Sequence, residues 1–143
     1  MTTIALMMLF GSVSQTFNLP PGLLSSVCFV ESSHNVHAMH FNDGGGNSVG
    51  ICQLKLGTAR LLGFKGDENS LKIPKNNVYF AAKYLRRQLD RYRGNVWAAV
   101  SAYNAGRLRL EPSGQTRNRV YVLKVLQRLK TETGYVRLLA QTL

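Results

Sequence analysis

The sequence predicts a single, mostly α-helical domain, on three observations. Apolar residues recur at three- and four-residue steps, alternating apolar/polar runs of the strand type are scarce, and Pro and Gly cut the chain into short helical lengths. At 143 residues, 45% of them apolar, the chain is long enough to bury one core and shows no segment that reads as an interdomain linker. Residues 1–143 are therefore expected to form one domain.

The elements follow in order. The run Ile4 to Phe10 is short and lacks a positive flank, so it reads as a first core helix rather than an export signal, and nothing approaches a membrane span. Pro20-Pro21 fits the first turn of a helix from about Leu19 to Ser32, where a missing amide donor costs nothing. Asn42 to Ser48, with Gly at three consecutive positions, reads as a loop. A short helix is expected across Gln53 to Leu62, ending at Gly63. Beyond Pro74, the residues Val78, Ala81, Ala82, Leu85, Leu89 and Tyr92 mark an amphipathic helix stopped at Gly94. Val96, Ala99, Val100 and Tyr103 mark an Ala-rich, central helix closed by Gly106, and a last long helix turns Val122, Val125, Leu126 and Leu129 inward.

Eighteen basic against seven acidic residues give a formal charge of +11, and every Lys and Arg lies from Lys55 onward. That balance favours anionic partners: a wall polymer or a membrane surface. Nucleic acid is not expected, because no recognisable binding motif accompanies the charge. Arg117, Arg119, Lys124, Arg128 and Lys130 around the last helix read as a solvated face, the alternative being a non-catalytic cationic wall- or membrane-binding module. Cys28 and Cys52 lack zinc-site spacing and read as buried free thiols, with a bridge as the alternative outside a reducing compartment. His34, His37 and His40 read as solvent-facing, and no metal or cofactor is assigned.

Leu24, Val27, Cys28 and Glu31 fall at i, i+3, i+4 and i+7, so the carboxylate of Glu31 extends an apolar stripe at a helix C-terminus. Desolvation and the negative helix end both favour its protonated form, which suits a general acid. Asp43, Asp67 and Glu68 are the nearby partners for a two-carboxylate glycosidase, and Asp43 reads first as a turn-forming residue.

Glu31-Ser32, then Gly50-Ile51-Cys52-Gln53-Leu54, Thr58-Ala59 and Ala102-Tyr103-Asn104-Ala105-Gly106 together resemble, in order, the motif series of the lytic transglycosylase catalytic domain related to goose-type lysozymes, over roughly residues 17–126. The resemblance implies a lysozyme-like α-domain with a cleft for the glycan strands of peptidoglycan. It implies that Glu31 protonates the N-acetylmuramic acid–N-acetylglucosamine linkage and then acts as base, leaving a 1,6-anhydro sugar. It further implies substrate-binding roles for Ser32, Gln53, Tyr103, Asn104 and Tyr121, with Ser32 more structural than nucleophilic. Cys52 stands where the family usually has Met, and Asn42 to Asn47 resemble an insertion that brings Asp43 toward the site. A muramidase that hydrolyses the same bond, with Asp43 placing water, is the alternative. The implied setting is the cell wall, reached by a monomeric protein of phage type.

Overall fold

A computed structural model describes the backbone of residues 1–142 and the side chains of residues 1–133. The element order is α1 (Thr3–Thr16), α2 (Leu23–Ser32), β1 (Met39–His40), β2 (Ser48–Val49), β3 (Leu54–Lys55), α3 (Leu56–Leu61), α4 (Glu68–Lys72), α5 (Pro74–Arg91), α6 (Val96–Ala105) and α7 (Arg119–Thr142). The mostly helical class expected from the periodicity is what forms, with one addition. Three two-residue strands make a small antiparallel sheet in the order β1-β2-β3.

The main core joins α2, α5, α6 and α7. Leu23, Leu24, Val27, Val78, Ala81, Ala82, Leu85, Ala99, Val100, Val122 and Val125 are all fully buried in it. Alanines at the α5–α6 contact let the two helices approach closely, and α2 packs most extensively on α7. A second, smaller cluster of Val49, Leu54, Ala59, Phe64 and Leu71 lies beneath the sheet. Among the described residues, no helix is long and apolar enough to cross a membrane.

Several boundaries differ from the sequence expectation for identifiable reasons. Helix α2 begins at Leu23 rather than Leu19, because its N-cap Gly22 sits at φ 80°, a left-handed conformation that no helix interior holds. A Cβ there would meet Leu129 of α7 at 3.3 Å, so the glycine also admits the last helix. The helix expected from Gln53 starts only at Leu56, since Gln53 is left-handed at φ 50° and Leu54 pairs with Val49 in the sheet. Pro74 takes the first position of α5, and Asn95 caps α6 by accepting from the Ala98 amide at 3.1 Å. The five-residue α4, capped by Asp67, was too short to leave a period in the sequence.

The two cysteines are not free thiols. Cys28 of α2 and Cys52, in the turn before β3, are bonded to each other across a sequence separation of 24. Both residues are fully buried. Closing a loop of this length removes unfolded-chain entropy worth about 3 kcal/mol.

Candidate active site

A polar cleft of about 490 Å³ opens between the sheet and the helical core, lined among others by Glu31, His40, Asp43, Gln53, Tyr84, Tyr103 and Asn104. Gln53 enters its lining from the end of the tight turn Gly50 to Gln53. Gly50 (φ 78°) and Gln53 (φ 50°) are both left-handed, and the turn is pinned from several sides. The Cys52 amide donates to Asn77 Oδ1 at 2.9 Å, and the Tyr103 hydroxyl donates to the Cys52 carbonyl at 2.9 Å. Asn77 is fully buried on α5 and also donates to the carbonyls of Val49 and Leu71, at 2.9 and 3.0 Å. The Gln53 amide group donates to the carbonyls of Ala38 (3.1 Å) and Gly50 (2.9 Å), which leaves its oxygen to accept from His40 Nδ1 at 3.1 Å.

Glu31 lies where the i+7 position on the α2 stripe puts it, at the edge of the core and on the cleft wall. Burial pushes its carboxyl up from 4.5 to about 7. The Tyr121 hydroxyl, donating to Oε1 at 2.6 Å, opposes that rise, Asp43 adds to it by repulsion, and His40 opposes it. A carboxyl balanced near neutral pH, with a fixed donor beside it, can both release and recover a proton. Tyr103 and Tyr121 are themselves pushed well above the usual phenol range, first by burial and then by the nearby Glu31, so both stay hydroxyl donors. Tyr121→Phe removes a bond that favours the ionised carboxyl. The basic limb of a pH–rate profile is expected to move upward in that variant, and an unmoved limb counts against the Tyr121–Glu31 bond.

Of the residues singled out in the sequence, Glu31, Gln53, Tyr103 and Asn104 line one cleft. Tyr121 reaches it through Glu31. Ser32 has a different place: its hydroxyl donates to the Ile51 carbonyl at 2.6 Å and to the Cys28 carbonyl at 3.3 Å, tying α2 to the turn. Asn104 accepts from Asn118 Nδ2 at 2.9 Å, and Asn118 in turn holds the Ser101 hydroxyl and carbonyl, so the end of α6 is fastened to the start of α7. Asp43 is more than a turn former. It lines the cleft, accepts from the Ser48 hydroxyl, and lies 3.9 Å from Lys55 Nζ.

The histidines do not share a face. His34 lies between the rings of Phe10 and Phe29 (5.1 and 5.3 Å) with Nε2 at 2.9 Å from the Ser25 carbonyl, so it is partly buried rather than solvent-facing; only His40 reaches the cleft. Among the described residues, no cluster of three or more His, Cys, Asp or Glu side chains is arranged to hold a metal ion. Tyr84 and Asn77 also belong to the site, although neither stands in a motif that marks it as a site residue. Tyr84 flanks the α5 stripe three positions after Ala81, a signal for a cleft-side aromatic, and its ring lies 5.1 Å from that of Tyr103. On the last helix, Lys124 and Lys130 are exposed as expected, while Arg128 stacks over Phe29 at 3.8 Å.

Comparison with known proteins gives a consistent result. The family model described as Transglycosylase SLT domain matches residues 8–121. Protein IpgF of Shigella flexneri is 32% identical over 99 residues, covering 68% of this chain and 64% of the relative. A transglycosylase of Enterobacteria phage PRD1 is 36% identical over 96 residues, covering 67% of this chain and 33% of the relative. The chain thus matches less than two thirds of the length of these curated relatives. In structure, it resembles an X-ray structure of an inactive mutant of the lytic transglycosylase Slt from Pseudomonas aeruginosa, with a TM-score of 0.73, 21% identity, 90% of this chain covered and 24% of that one.

Proposed function

Because this chain belongs to the transglycosylase SLT domain family, we propose that it is a peptidoglycan lytic transglycosylase, cleaving the bond between N-acetylmuramic acid and N-acetylglucosamine with Glu31 as the acid and base. The observation that carries this reading is the state of Glu31: a buried carboxyl balanced at about 7 on the wall of a polar cleft, with the Tyr121 hydroxyl at 2.6 Å. Protonated Glu31 gives its proton to the bridging oxygen as the glycosidic bond breaks. The resulting carboxylate, stabilised by Tyr121, takes the proton of the muramic acid 6-hydroxyl as that oxygen attacks C1 and closes the 1,6-anhydro ring. Asn104, exposed on the cleft wall, meets the sugar directly, and Gln53, whose amide hydrogens are held by Ala38 and Gly50, offers it the remaining lone pair of its oxygen. Tyr103 and Ser32 act behind it by holding the turn, since each donates to a turn carbonyl.

The main core, to which α1, α2, α5, α6 and α7 all contribute, supports treating residues 1–143 as one catalytic unit. The site of action would be the cell wall. The resemblance to a phage transglycosylase favours a phage setting, and the charge of +11 favours adhesion to anionic wall polymers.

One observation favours a second reading. Asp43 shares the cleft with Glu31, and a second carboxylate is what a water-using muramidase needs. Mass analysis of muropeptides released from purified sacculi separates the two: anhydro ends are expected, and reducing ends would establish hydrolysis instead. In the transglycosylase reading Asp43→Asn changes rate without changing the product; a switch from reducing to anhydro ends in that variant would assign Asp43 to water placement.

A further inference from the structure

We propose that the Cys28–Cys52 bond positions the cleft: it holds the Gly50–Gln53 turn against the helix that carries Glu31, so that wall cleavage slows when the bond is reduced although the fold survives. This rests on the reading of Glu31 as the acid that cleaves wall glycans. The argument begins with how the turn is held. Its links to α5 and α6 are the hydrogen bond that the Cys52 amide donates to the buried Asn77 and the one that the buried Tyr103 hydroxyl donates to the Cys52 carbonyl, and its side chain Gln53 is bonded within the β1–β2 region through Ala38, Gly50 and His40. Toward α2, by contrast, the links are a hydrogen bond from the Ser32 hydroxyl to the Ile51 carbonyl and the covalent disulfide. Cys28 lies three residues before Glu31 on α2, and Cys52 immediately precedes Gln53. The bond therefore spans the separation between the acid and the cleft wall that faces it.

Breaking the bond leaves the turn attached to α5 and α6, and leaves Ile51 buried in the core. What loosens is the register between α2 and the turn. A displacement of the order of 1 Å between an acid and the groups that orient its substrate is enough to cost about a hundredfold in rate. The consequence is a cleft that is slack in a thiol-rich compartment and set where disulfides persist.

Reduction by a dithiol such as dithiothreitol is a balanced exchange. Two thiol groups of the reagent give up two electrons and two protons, the S–S bond breaks, each cysteine becomes a thiol, and the reagent closes to its cyclic disulfide. Both cysteines are fully buried, so reduction requires local opening and a long incubation. A Cys28→Ala/Cys52→Ala double variant gives the same broken link without waiting for it.

The test compares the oxidised parent, the reduced parent and the double variant on sacculi over a range of wall concentrations and pH, with far-ultraviolet circular dichroism of each. The expected result is a maximal rate about 10- to 100-fold lower in the two unbridged forms, with little change in half-saturating wall concentration and unchanged helical signal. The basic limb of the pH profile should also fall, as Glu31 gains water. Tyr121 from α7, Tyr103 from α6, His40 from β1 and Asp43 from the glycine loop face Glu31 in the bridged protein, and neither unbridged form removes any of them, so the shift reports on how the turn is placed. Unbridged forms that match the parent's maximal rate and pH profile overturn the proposal. So does a rate lost in step with the helical signal, which makes the bond a device of global stability. An oxidised parent that releases nothing from sacculi is a different result: it removes the wall-cleaving reading and this proposal with it.

Discussion

Glu31→Gln is expected to stop release of muropeptides from sacculi, a loss of about 10²- to 10⁴-fold, and at the same time to make the protein more stable at pH 8. The two effects have one cause. Burial holds the Glu31 carboxyl up at about 7, against 4.5 when unperturbed, so the folded state resists ionisation that the unfolded chain permits. The favourable contribution of the protonated carboxyl is fully present below about pH 4.5. It is lost as pH rises through about 7, by a total of about 3 kcal/mol at ~1.36 kcal/mol per pH unit. Glutamine carries no such charge. The variant and parent should thus unfold at similar urea concentrations near pH 4 and separate progressively toward pH 8. Activity of the parent should fall over the same range, because the acid form of Glu31 is what disappears. A stability difference that is the same at pH 4 and pH 8 would show that Glu31 ionises freely in the folded protein, and the proposed acid would be lost with it.

Gly50→Ala is expected to destabilise the protein by about 4 kcal/mol. The backbone there has φ +78°, which costs a side-chain-bearing residue about 1–2 kcal/mol. A Cβ would also lie 2.5 Å from Asn77 Nδ2 and 2.7 Å from its Cγ. Asn77 is fully buried and bonded to the Cys52 amide and the carbonyls of Val49 and Leu71, so it cannot move aside without leaving buried groups unpaired, at about 1 kcal/mol or more for each. Gly45→Ala is the control: it is also left-handed, at φ +97°, but has nothing within 4 Å, so only the conformational cost of about 1–2 kcal/mol remains. Urea unfolding of the two variants measures the difference. Equal losses would mean that Asn77 yields, and that the turn is held less firmly than its hydrogen bonds indicate.

Much of the helical frame was legible along the chain. Helices α5 and α6 are marked by stripes that need no knowledge of what they pack against, and Pro74 fixes where α5 starts and Gly106 where α6 stops. Glu31 was legible twice, as the polar end of the α2 stripe and as the first residue of the motif series. The strands were not legible, because two residues contain no period and a ladder exists only once distant segments meet. Along the sequence Asp43 reads first as a turn former, because its own neighbours explain it. Its place in the cleft depends on the pairing of β1 with β2, whose connecting loop carries it.

By itself, then, the sequence determined the mostly helical class and the central helices, and it offered Glu31 as the candidate acid, since each is a matter of local spacing and residue chemistry. The tertiary structure alone decided that Cys28 and Cys52 bond across 24 residues, that Asn77 pins the turn, and that Tyr121 donates to Glu31 across 90 positions. The physical reason is range. A helix records its periodicity within a few residues, whereas a hydrogen bond or a disulfide between remote segments leaves no trace until packing of the core has brought the two together.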